Sequence, residues 1–169
     1  MVCRPHYTKT LMKHTIDPTS PTALYQWATA RCAQKEYCAS EISQKLRQRG
    51  ASFDDIESLI SRLEEEGYID EERYARAFTR DKYRFDHWGR VKITYALRQK
   101  GITSSSISHA LEEIDEADYE ANLRAFLHSR LRQTKAPTPQ AARQKVIRAA
   151  VTRGYEIERV IDVLGAEPF

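Results

Sequence analysis

The sequence predicts an all-α protein built from three tandem three-helix repeats, and three observations carry that prediction. A glycine preceded by a basic residue recurs at Gly50, Gly101 and Gly154, spaced by 51 and then 53 residues. The apolar positions around each glycine coincide: Ile42, Ile93 and Val146 stand eight residues before it, and Leu46, Leu97 and Ala150 four before. Ile56, Ile107 and Val160 stand six after, and Ile60, Leu111 and Leu164 ten after. Finally, no segment alternates strictly between apolar and polar residues with β-branched enrichment, so there is no case for a sheet. Self-similarity at a fixed period marks stacked supersecondary units, each too small to bury a large core alone, so neighbours must share apolar surface.

Read in order, residues 1–19 contain Pro5 and Pro18 and no sustained pattern, which predicts a flexible basic arm. The first repeat, 20–67, opens at Ser20-Pro21, a cap followed by proline at the first helical position, with Leu24, Trp27 and Ala28 along a helix that ends near Lys35. Ser40 is the expected cap of the middle helix, whose Ile42 and Leu46 share a face before Gly50 closes it in the left-handed conformation. Ser52 with Asp55 resembles a capping box ahead of the stripe Ile56, Leu59, Ile60 and Leu63, which Gly67 ends.

The second repeat, 68–114, begins its first helix at Asp70, where Glu71 and Glu72 also suit the positive helix end. Tyr74, Ala75 and Phe78 form its stripe, Trp88-Gly89 marks the joint, and Thr103 or Ser104 caps the helix of Ile107, Ala110, Leu111 and Ile114. The third repeat, 115–165, starts at Asp115 with Tyr119, Leu123, Phe126 and Leu127. It breaks at Lys135-Ala136-Pro137 and restarts with Thr138 as cap and Pro139 at the first position. Residues 166–169 are a short tail.

The composition, 41% hydrophobic and 30% charged over 169 residues, is that of a soluble helical protein. No apolar run approaches the roughly 20 residues of a membrane span, and the first residues lack the apolar core of a secretory signal, so no membrane partner and a cytoplasmic location are expected. Cys3, Cys32 and Cys38 form no C-x-x-C pair, which argues against a disulfide framework. The five histidines lie scattered without a local ligand spacing, and neither glycine-rich phosphate-loop pattern occurs, so no metal, cofactor or nucleotide is expected. Asp70, Glu71 and Glu72 read as a charged helix start rather than catalytic carboxylates, and no enzymatic site is predicted.

Charge supplies the functional signal. The net charge of +3 hides blocks of +5 (1–50), −7 (51–75), +6 (76–105), −6 (106–120), +8 (121–154) and −3 (155–169). The three middle helices carry Lys45, Arg47 and Arg49, then Arg90, Lys92, Arg98 and Lys100, then Arg143, Lys145, Arg148 and Arg153, against the single acid Glu41. Arg49, Lys100 and Arg153 also complement the negative end of the helix dipole. The whole set, if the repeats stack regularly, forms a basic stripe that attracts nucleic-acid phosphates or an acidic protein surface. Tyr83, Phe85 and Tyr95 lie among these cations. Base stacking is conceivable there, and burial in helix stripes is the expected role.

The run Gly67-Tyr68-Ile69-Asp70-Glu71-Glu72-Arg73-Tyr74-Ala75, followed by Phe78, Gly89, Ile93, Leu97 and Lys100-Gly101-Ile102, resembles the RecX family of bacterial recombination regulators. Lys92 stands where the family pattern has arginine, Glu71 replaces the commoner aspartate, and Pro137 and Pro139 interrupt the diverged third repeat. The resemblance implies an elongated, curved chain of three-helix repeats. It also implies a RecA recombinase filament on single-stranded DNA as partner, whose extension, ATPase and strand exchange the protein limits without catalysis of its own. Direct contact with single-stranded DNA stays open, and a monomer is expected. The alternative is an autonomous DNA-binding repeat protein, since compact three-helix units can place a helix in the major groove.

Overall fold

The structure, a computed structural model, describes residues 17–166. Helices account for about three quarters of them, and no strand occurs among the described residues. In chain order they are α1 (Pro21–Cys32), α2 (Ala39–Gln48), α3 (Phe53–Glu65), α4 (Glu71–Arg84), α5 (Arg90–Gln99), α6 (Ser104–Glu112), α7 (Glu116–Gln133), α8 (Pro139–Arg153) and α9 (Ile157–Ala166). The expected arm falls outside the described residues except for 17–19, and of the tail only Ala166 is described, as the last residue of α9.

The helix starts follow from side-chain chemistry. Ser20, Ser52, Asp70, Thr103, Asp115 and Thr138 each accept a hydrogen bond from the amide three residues on, satisfying one of the orphan donors of a first turn. The middle helices end alike: the amides of Ala51, Ile102 and Tyr155 reach back to the carbonyls of Leu46, Leu97 and Ala150 at 3.1, 3.2 and 3.1 Å. Gly50, Gly101 and Gly154 supply the left-handed residue that this Schellman closure needs, with φ of 86°, 82° and 98°. Two expectations need correction. α1 stops at Cys32, short of Lys35. Ser40 does not cap α2, whose N-cap is Cys38 without a side-chain bond; the Ser40 hydroxyl donates instead to the carbonyl of Lys100 at 2.7 Å.

Apolar packing divides the molecule unequally. Leu24, Ala28, Ile42, Leu46, Ile56, Leu59 and Leu63 of α1–α3 form one core with Tyr37 and Ile69. A second core runs without interruption from Ile93, Leu97, Ile107 and Ala110 into Leu123, Leu127, Val146, Val160 and Leu164, so α4–α9 share one interior. The small Ala150 at a position held by leucine in the other two repeats is offset by Tyr155, buried next to the closing glycine, where Tyr119 and Phe126 lie 5.4 and 5.9 Å from its ring.

The three middle helices meet end to end. The amides of Gly89 and Val91, at the start of α5, donate to the carbonyls of Arg153 and Gly154, at the end of α8, both at 3.0 Å. Unpaired donors of one helix start thereby satisfy unpaired acceptors of another helix end. The backbones approach so closely that a Cβ on Gly89 would lie 2.1 Å from the Gly154 oxygen. At the equivalent joint between α5 and α2 the contacts come from side chains: Ser40 to the Lys100 carbonyl, Lys100 Nζ to Glu41 at 2.5 Å, and the Tyr74 hydroxyl to the same Glu41 oxygen at 3.2 Å. The line therefore reads α8, α5, α2, the reverse of chain order, and at 1.5 Å per residue it supplies roughly 50 Å of helix.

Candidate functional site

The cations of the middle helices separate into two groups according to what their heads touch. Arg90, Lys100 and Arg153 are engaged within the protein. Arg90 pairs with Glu116 at 2.9 Å, donates to the Ile114 carbonyl at 3.2 Å and lies 4.3 Å from the Tyr119 ring centroid, leaving its side chain 19% exposed. Lys100 pairs with Glu41, and Arg153 donates to the Asp86 carbonyl at 3.0 Å while lying over Phe126. These three act as staples at the joints between repeats.

The others project outward. Lys45 and Arg49 lie over the rings of Tyr37 and Trp27, at 5.7 and 4.7 Å, which orients their heads along the surface. Lys92 and Lys82 lie 4.3 and 4.9 Å from the Trp88 ring centroid, and Lys145 donates to the Lys135 carbonyl at 3.2 Å. Arg47, Arg98, Arg143 and Arg148 are exposed and make no ion pair among the described residues. Arg47 and Arg98 occupy the same position in successive repeats, three residues before the closing glycine.

The helices that carry them hold almost no carboxylate. α5 and α8 contain no Asp or Glu at all, and the one acid of α2, Glu41, is turned into the joint. Several carboxylates on other elements are paired instead. Glu116 joins α7 to α5 and α9 through Arg90 and Arg159, and these two guanidinium bonds, Arg159's first, hold its carboxyl below the ordinary glutamate range. Tyr119, in the same cluster, donates to Glu156 at 2.6 Å and accepts from the Arg90 amide at 3.1 Å. Burial, reinforced by that carboxylate, pushes its phenol well above the ordinary tyrosine value.

Two aromatic expectations are corrected. Tyr83 is half-buried, accepting a hydrogen bond from Asn122 at 2.6 Å, whereas Phe85 and Tyr95 are 77% and 65% exposed. The signal for Tyr95 was present in the sequence. It lies two residues from both Ile93 and Leu97, about 200° around the helix from the buried stripe that those residues define. Val91, one turn earlier, is exposed for the same reason. No group of three or more His, Cys, Asp or Glu residues placed to hold a metal occurs among the described residues, and no helix among them is long and apolar enough to cross a membrane.

Comparison with known proteins decides the family. The model of the RecX second three-helix domain matches residues 70–111, spanning α4 to α6. A regulatory protein RecX of Pseudomonas entomophila is 32% identical over 142 residues, covering 83% of this chain and 89% of that protein. The chain belongs to the RecX family. Another RecX relative, from Pseudomonas putida, is 38% identical over 106 residues, covering 62% of this chain and 72% of its own. Among solved structures, a crystal structure of regulatory protein RecX matches with a TM-score of 0.78 at 21% identity, over 86% of this chain and 73% of that one. RecX from Lactobacillus salivarius matches with a TM-score of 0.75 at 17% identity, over 86% and 94%. The all-α architecture of three-helix units is thus that of the RecX family, and the segment matched by the family model carries Arg90, Lys92, Tyr95, Arg98 and Lys100.

Proposed function

We propose that this protein binds a RecA-type recombinase filament on single-stranded DNA and restrains its extension, its ATPase and its strand exchange. It acts as a regulator without catalysis of its own, in control of recombination and DNA repair in the cytoplasm. Membership of the RecX family supports the regulatory role. The observation that supports the mode of binding is that α8, α5 and α2 abut end to end, carry exposed cations, and include no carboxylate in α5 or α8. A line of roughly 50 Å exceeds the diameter of a small domain, so one protein can touch more than one subunit of a polymer.

The binding set on this reading is Lys45, Arg47, Arg49, Lys92, Arg98, Arg143, Lys145 and Arg148, while Arg90, Lys100 and Arg153 keep the line together. Added below one copy per recombinase subunit, the protein lowers DNA-dependent ATP hydrolysis, and raising salt weakens the effect as screening of exposed charge requires. Hydrolysis that stays unchanged across a range of salt rejects the proposal.

A further inference from the structure

Charge alone leaves the outer face of α5 unexplained. Tyr95 stands in the middle of that helix with 65% of its surface exposed, and its hydroxyl makes no hydrogen bond among the described residues. Val91, one turn before, is 52% exposed, and Arg98, one turn after, is exposed without an ion pair. On the neighbouring helices the equivalents of Tyr95 are Gln44 and Arg148, so α5 alone presents a ring in the line. The exposed part of that ring buries no surface in the fold of this chain.

We infer that Tyr95 is a base-stacking platform for single-stranded nucleic acid, with Arg98, Arg47 and Arg148 holding the phosphates to either side. The inference rests on the proposed filament role and goes further, because it assigns the middle of the line to the strand itself rather than to recombinase protein. Charge complementarity favours that occupant. Protein surfaces carry both signs and are met by both, whereas the outer positions of α2, α5 and α8 (Ser40, Gln44, Arg47; Val91, Tyr95, Arg98; Gln144, Arg148, Val151) include three cations and no acid. A ligand of one sign along its whole length fits that set. A strand also offers bare base faces for a ring to stack on, sequence-tolerant because every base has a π-face, while a duplex keeps its base faces covered. Arg47 and Arg98 recur one repeat apart on helices that abut, as a polymer with a repeating charge requires.

The test is fluorescence anisotropy of a labelled oligothymidylate, and of a duplex of equal length, titrated with the full chain. Tyr95→Leu, on an exposed surface, keeps its helicity by circular dichroism. It weakens strand binding roughly 5- to 150-fold, the loss expected for one stacked base, with duplex affinity unchanged. Its salt slope on the strand stays at the wild-type value, since no phosphate contact is lost, whereas Arg98→Gln lowers the slope by about 0.7. Tyr95→Phe retains the ring and the affinity. Strand binding by Tyr95→Leu that equals wild type, or an equal loss on duplex, overturns the inference. Sedimentation with an assembled recombinase filament runs in parallel. If Tyr95→Leu loses the filament while strand binding is untouched, the ring faces protein and the inference falls with the filament role intact. If the wild-type protein binds neither strand nor filament, the filament role falls as well.

Discussion

A methyl group at position 154 would lie 2.3 Å from the Cβ of Lys92 and 2.7 Å from its amide nitrogen, and the residue sits at φ +98°. Gly154→Ala therefore meets both backbone strain and a rigid obstacle, whereas Gly101→Ala, at φ +82° with open space around it, meets the strain alone. The left-handed conformation costs a side chain about 1–2 kcal/mol, so urea denaturation of Gly101→Ala shows a loss of that order and Gly154→Ala a larger one. Equal losses contradict the close approach at that joint. The buried phenols make a second prediction. Burial raises the pKa of Tyr74 and Tyr119 strongly and that of Tyr155 to about 12. Their unfolded counterparts ionise near pH ~10, so their contribution is complete below that pH and is lost as pH rises from there through the folded values. The urea midpoint holds up to about pH 9.5 and falls steadily above it, with the tyrosinate absorbance of these three buried phenols appearing together with unfolding rather than before it.

Between elements, the two equivalent joints are held by different chemistry. The Val91 amide donates to Gly154, while the equivalent amide, that of Ser40, has no partner among the described residues. Hydrogen exchange read residue by residue is accordingly slow at Val91 and fast at Ser40; comparable rates contradict the difference. Lys100→Met leaves the half-buried Glu41 without its cation, and the buried oxygen Oε2 of that carboxylate already has no hydrogen bond. The expected loss falls between the ~1 kcal/mol of an exposed pair and the ~3–5 kcal/mol of a buried one, and the added exchange is confined to the joint between α2 and α5. Much at this scale was legible in sequence, because helix caps and Schellman glycines act locally: Ser52, Asp70, Thr103, Asp115 and Thr138 cap as their types and positions predict. The joints were not legible. They unite residues of different repeats, and Ser40, read as a local cap, is drawn away by the carbonyl of Lys100, which no pattern within its own helix can reveal.

For the whole molecule, α4–α9 share one core and α1–α3 have their own, bridged by Lys100–Glu41 and Arg73–Glu36. The cationic character of the middle helices could be read directly from composition, and the family from the run between Gly67 and Ile102. The division of those cations into staples and outward heads could not, since Arg90 and Arg98 differ only in whether Glu116 and Tyr119 lie beside them in the fold. The central claim is that the outward heads on the line of α8, α5 and α2 hold the filament. The direct measurement is sedimentation of the triple variant Arg47→Glu, Arg98→Glu, Arg148→Glu with a recombinase filament on single-stranded DNA, its fold checked by circular dichroism. The variant stays in the supernatant at protein concentrations where the wild type pellets; if it pellets like the wild type, the outer face is not the binding surface.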